Sequence, residues 1–137
     1  MYFNEVNTQM STINTSKDTT LTTLIKKYAE RVARKHFIKI ICGKNHSIFK
    51  TECNLVEMAQ SRLQEMILVS YHNASINTVK PLVKNMIRSF AIKKINSYDD
   101  DKSIKDDAIN SFMEEDLESV FEFSNQSRGD NSWTSQS

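Results

Sequence analysis

Apolar residues recur along the first third of the chain at the spacing of one helical face. From Asp18 to Gly43 they fall at Leu21, Leu24, Ile25, Tyr28, Ala29, Val32, Ala33, Phe37, Ile40 and Ile41, so a single wide stripe faces a core. Asp18, Thr19 or Thr20 can accept N–H groups of a first turn, and Gly43 suits the position just past the last one. The pattern predicts a helix over 19–42. One competitor remains, because FIKIIC is β-branched, Gly43-Lys44-Asn45 is turn-like and SIFKT follows: a short β-hairpin over 37–51.

Three more stripes follow. Leu55, Val56, Met58, Ala59, Leu63, Met66, Ile67 and Tyr71 predict a helix over 52–73, capped by Thr51 with Glu52 in its first turn; its two methionines read as gap-filling core. Leu82, Val83, Met86, Ile87, Phe90, Ala91 and Ile95 predict a helix over 79–96, with Pro81 in the first turn, where its missing N–H costs nothing. Ile109, Phe112, Met113, Leu117, Val120 and Phe121 predict a helix over 104–123, opened by Ser103 and Asp106 in a near-capping box. Four such helices with short connections make residues 18–123 an all-α, antiparallel four-helix bundle. Composition agrees, since two glycines and one proline are too few for the turns of a sheet protein. Residues 1–17 and 124–137 are polar and aperiodic, which predicts a flexible arm and a disordered tail.

Charge changes the picture most. The net charge is only +1, yet residues 17–50 carry nine Lys/Arg against two acids, residues 80–95 carry five basic residues, and residues 99–123 carry ten acids against two lysines. On the predicted helices Lys27, Arg31, Arg34, Lys35, Lys80, Lys84, Arg88 and Lys94 fall outside the apolar stripes. They are the candidate contacts for a partner or for nucleic-acid phosphates. The acidic segment DLESVFEF offers Leu117, Val120, Phe121 and Phe123 as a docking face, either within the chain or on a partner.

Chemistry-bearing motifs are few. Cys42, His46 and Cys53, with His36 nearby, lack the paired spacing of a structural zinc site. Asp99, Asp101, Ser103 and Asp107 imitate a calcium loop but have Ile104 where glycine is needed and Asn110 where the closing glutamate is needed. Arg128-Gly129-Asp130 is a tripeptide that recurs by chance. Two glycines cannot build a phosphate cradle, which argues against an enzyme and predicts no cofactor and no metal. No apolar run reaches the roughly 20 residues of a membrane span, and the N-terminus lacks the pattern of a secretory signal. The expectation is a non-enzymatic helical interaction protein, an adaptor or small regulatory subunit of cytosol or nucleus. Its partner is expected to be a protein or a second copy; nucleic acid bound through 19–42 and 79–96 is the alternative.

Overall fold

The structure is a computed structural model and describes residues 12–71 and 73–123. Residues 1–11 of the expected arm 1–17, and the expected tail 124–137 with its Arg128-Gly129-Asp130, lie outside the described residues, whereas residues 12–17 are helical. The described residues form an all-α bundle of four helices: α1 (Thr12–Cys42), α2 (Ser47–Ser70), α3 (Asn73–Ser97) and α4 (Lys102–Met113), followed by a 3-10 segment (Leu117–Phe121). No described helix is long and apolar enough to cross a membrane.

The bundle is centred on α1, which packs against α2, α3 and α4. Leu21, Ile25, Tyr28, Ala29, Val32, Ala33 and Phe37 of its predicted stripe are buried, joined by Leu63 and Ile67 from α2, Ile87, Ala91 and Ile95 from α3, and Ala108 and Phe112 from α4. α3 also packs on α4, and the 3-10 segment on α2, whereas α2 and α3 make no comparable contact among the described residues. A valley between α2 and α3, floored by α1, is the consequence.

The helix bounds differ from the sequence expectation in four places, each with a local cause. First, α1 starts at Thr12, so Asp18 lies inside the helix rather than capping it. It runs without a break through the segment that competed as a hairpin, because Phe37 and Ile38 are buried on a helical face. Gly43 then stops it, at φ +90° and with its N–H bonded to the Lys39 carbonyl at 2.9 Å, a left-handed cap that favours glycine.

Second, α2 begins five residues before the expected start, because the His46 side chain caps it by accepting from the Ile48 N–H at 3.1 Å. Thr51 is therefore not a cap, and its hydroxyl donates to the Ser47 carbonyl. Third, α3 begins at Asn73, which places Pro81 inside the helix. Burial of Ile76 and packing of Val79 hold the turns before the proline, at the cost of the bond its N–H would have made.

Fourth, the expected helix 104–123 breaks after Met113, and Asp101, without a side-chain cap bond, stands at its start in place of Ser103. Three consecutive carboxylates, Glu114, Glu115 and Asp116, would load the negative end of a helix. The chain instead tightens, with Glu115 N–H bonding to the Phe112 carbonyl at 2.8 Å. Asp116 then caps the 3-10 segment by accepting from the Glu118 N–H at 3.0 Å.

Candidate docking cleft

The eight basic positions singled out in the sequence separate into two groups. The acidic end of the chain answers three members of the first group, Lys35, Lys80 and Lys84. Lys80 and Lys84, one turn apart on α3, both donate to Glu118, with Lys80 Nζ 3.1 Å from Glu118 Oε1. These lysines hold the Glu118 carboxyl below its usual range, Lys84 most strongly. Lys35 reaches Glu115 at 3.4 Å. Arg88 donates to Asn85 on its own helix at 3.4 Å.

Apolar contacts reinforce this internal docking. Leu117 and Val120 are buried, Phe121 and Phe123 pack against the core, and Lys80 Nζ lies 5.7 Å from the centre of the Phe121 ring. Gln60 and Gln64 of α2 hold Ser119: its hydroxyl is 3.4 Å from Gln60 Oε1, and Gln64 Nε2 donates to its carbonyl at 3.0 Å. All four residues expected to form an acidic docking face thus pack within the chain.

The second group, Lys27, Arg31, Arg34 and Lys94, lines the valley between α2 and α3. Lys27 is nine residues from His36, about half a turn round α1, so this valley lies on the side of the helix away from His36 and its α4 partners. Its volume is about 450 Å³. Leu24, Glu30 and the three α1 cations form its floor; Leu55, Met58, Ala59 and Arg62 of α2 form one wall, and Lys94 and Tyr98 the other. Five cations thus surround a partly apolar surface that holds one carboxylate. Among the described residues no ion pair falls to Lys27, Arg31, Arg62 or Lys94.

Glu30, Arg62 and Tyr98 of the cleft are missing from the sequence reading, and Met58 was misplaced in it. Arg62 could have been found, since it sits on α2 three residues beyond Ala59 and on the polar side of Leu63. Met58, expected as core filler, is 56% exposed and belongs to the cleft instead. The α2 stripe is wider than the surface α1 offers it, so its Leu55–Met58–Ala59 edge overhangs the valley.

Arg34 is braced from behind. Its Nε donates to Glu52 Oε2 at 2.8 Å, and the Glu52 side chain is almost wholly buried. That bond raises the Arg34 pKa above its ordinary value. Glu52 Oε1 and the Tyr98 hydroxyl are buried without a hydrogen-bond partner among the described residues. Burial pushes the Tyr98 hydroxyl up, and the Arg34 charge opposes that. The Tyr98 ring stacks on Phe37 at 4.3 Å between centroids, with Lys94 Nζ 5.6 Å from its centre. Together these contacts fix one end of the cleft.

A second polar group joins α1 to α4. His36 Nε2 lies 2.7 Å from Glu115 Oε1, and Nδ1 lies 2.7 Å from Ser111 Oγ. A serine, an imidazole and a carboxylate in line are the parts of a nucleophile and its base. Here Ser111 and His36 are 9% and 6% exposed, and neither lines the cleft. The group ties two helices together. Cys42 is exposed, Cys53 half-buried, and His46 spent on its cap, so the residues of the zinc-like spacing stay apart. Among the described residues no group of three His, Cys, Asp or Glu could hold a metal ion.

No protein-family model, curated protein or solved structure matches the chain. The cleft is therefore read from its own chemistry.

Proposed function

We propose that this protein is a non-enzymatic helical interaction module, an adaptor or small regulatory subunit of cytosol or nucleus, whose cleft on α1 docks an acidic segment of a protein partner. The observation that carries the reading is the pairing of Lys27, Arg31, Arg34, Arg62 and Lys94 with Leu24, Leu55, Met58 and Ala59 in one valley. Cations at the rim of an apolar groove suit a segment with both carboxylates and apolar side chains.

Nucleic acid is the second reading, favoured by the same five cations. Against it, Lys80 and Lys84 are taken by Glu118 and Lys35 by Glu115, so the basic track from α1 to α3 is interrupted. Tyr98, already stacked on Phe37, is the one aromatic side chain of the cleft and offers little for bases.

Salt separates the two. Binding of the full chain to a generic duplex, a single strand and an acidic amphipathic peptide is measured from about 50 to 500 mM salt. The docking reading expects peptide binding that falls shallowly with salt and weak binding to both nucleic acids. If all five cations met phosphates, the logarithmic slope on a duplex would be about −4.5. Tight duplex binding with such a slope, and no peptide binding, would replace the docking reading with the second one.

A further inference from the structure

We infer that the cleft's ligand is an acidic–apolar turn of the same design as the one this chain folds onto itself at 116–121. Its carboxylate would be clasped between Lys27 and Arg31, and its apolar side chains would follow onto Leu24, Leu55 and Met58. This inference rests on the docking reading and specifies the partner's chemistry.

The internal turn is a worked example of how the bundle binds such a segment. Glu118 is held by two lysines one turn apart on a single helix. The residue before it, Leu117, and the residue two after it, Val120, are buried, and the Phe121 ring lies by Lys80. Charge fixes the position of the turn and apolar burial supplies its adhesion.

The cleft repeats each part. Lys27 and Arg31 are again one turn apart on a single helix, and Leu24 lies one turn before Lys27 on the same face. Leu55, Met58 and Ala59 supply the facing apolar wall, and Arg62 extends the cationic side by one turn of α2. The difference between the two places is occupancy: Lys80 and Lys84 are ion-paired within the chain, whereas among the described residues Lys27, Arg31 and Arg62 are not.

Residue choice points the same way. The chain has thirteen lysines and five arginines, yet three of the five arginines, Arg31, Arg34 and Arg62, line the cleft. A guanidinium presents a planar fork that matches a carboxylate, whereas an ammonium acts as a point charge. Glu52 holds Arg34 by its Nε, and Arg34 still lines the cleft. The cleft is thus built to read carboxylate geometry more selectively than the Lys80–Lys84 clasp.

The test uses the full chain and two labelled peptides, the chain's own 113–123 sequence MEEDLESVFEF and a scrambled version of the same composition. The expected result is saturable binding of the first, roughly tenfold tighter than the second, a difference of about 1.4 kcal/mol. Arg31→Glu with Arg62→Glu should abolish it, Met58→Asp should weaken it, and Lys50→Glu, away from the cleft, should leave it unchanged. All these positions are exposed, and a thermal melt of each variant would check that it folds.

Equal binding of both peptides, lost on charge reversal, would overturn the turn design while leaving the docking reading intact. Binding that ignores Arg31 and Arg62 but disappears with Lys80→Glu and Lys84→Glu would mean exchange with the internal turn, and would overturn the assignment to the cleft. Absence of binding by either peptide would overturn it too. So would a concentration-dependent dimer, seen by sedimentation and abolished by the Arg31/Arg62 reversal, because the occupant would then be a second copy.

Discussion

His36 and Glu115 meet at 2.7 Å although 79 residues separate them in the chain. A carboxylate can only accept, so the proton between them sits on Nε2, which leaves Nδ1 to accept from the Ser111 hydroxyl when the ring is neutral. This contact stands where α4 ends, and it diverts Glu115 from the helix into the seam with α1. The hydrogen bond from His36, with Lys35 adding charge, holds the Glu115 carboxyl below its usual value; burial opposes the shift.

The sign of the consequence follows from that shift. A carboxyl depressed in the folded state contributes stability that is fully present above its unfolded value near 4.5 and is lost as pH falls through the lower folded value. Glu115→Gln should therefore destabilise the protein at neutral pH by about 1–3 kcal/mol, the range for a lost charge-assisted hydrogen bond. The gap between variant and parent should narrow as pH falls below 4.5 and close once pH is below the lower folded value. Urea denaturation across pH 3 to 7 measures both, and parallel curves at every pH would contradict the assignment.

Glu118 is a different case, because it faces solvent. Its lysine clasp holds the 3-10 segment in place without contributing much to the whole. Glu118→Gln should speed amide exchange through Leu117–Phe121, more so at low salt, while the unfolding midpoint hardly moves. Unchanged exchange in that segment would mean that Leu117 and Val120 alone hold it.

Much of the fold was legible because apolar spacing speaks for itself. Of the α1 stripe, Leu21, Ile25, Tyr28, Ala29, Val32, Ala33 and Phe37 are buried as read, whereas Leu24 is half-buried at the cleft and Ile41 is exposed; Leu63, Ile67, Ile87, Ile95 and Phe112 sit in the core as read. Helix ends were less legible, because they depend on atoms that periodicity does not weigh. A histidine ring caps α2, and a tertiary pull on Glu115 ends α4 early. Half of the candidate basic set lines the cleft: Lys27, Arg31, Arg34 and Lys94. The charge blocks hinted that acids would answer bases, but pairing Glu118 with Lys80 and Lys84 rather than with α1 needed the three-dimensional arrangement. Met58 misled for a related reason. An apolar residue on a stripe reads as core until the width of the facing helix is known.

Pro81 was expected in a first turn and lies well inside α3. An interior proline gives up one helix bond and costs up to about 3 kcal/mol. Since Pro81 is exposed, Pro81→Ala should leave packing alone and stabilise the protein, by roughly 1–2 kcal/mol after the added freedom of the unfolded chain is subtracted. Chemical denaturation would show a higher midpoint with an unchanged slope; a lower midpoint would mean that the proline shapes a bend the bundle needs.

The Tyr98 hydroxyl is buried with no partner among the described residues, while its ring stacks on Phe37. Tyr98→Phe keeps the stack and removes the orphan group, so stability should rise by about 1 kcal/mol. A loss of that size would instead identify a hydrogen bond to Arg34 or Glu52 at the end of the cleft.

The proposed docking site is the valley on α1 between α2 and α3. Amide chemical-shift mapping of the full chain with the 113–123 peptide tests it most directly. The account predicts shifts at Leu24–Arg34, Leu55–Arg62 and Lys94–Tyr98, all lost when Arg31 and Arg62 are reversed. Shifts centred instead on the exposed Leu68, Val69 and Leu82, or no shifts at millimolar peptide, would contradict it.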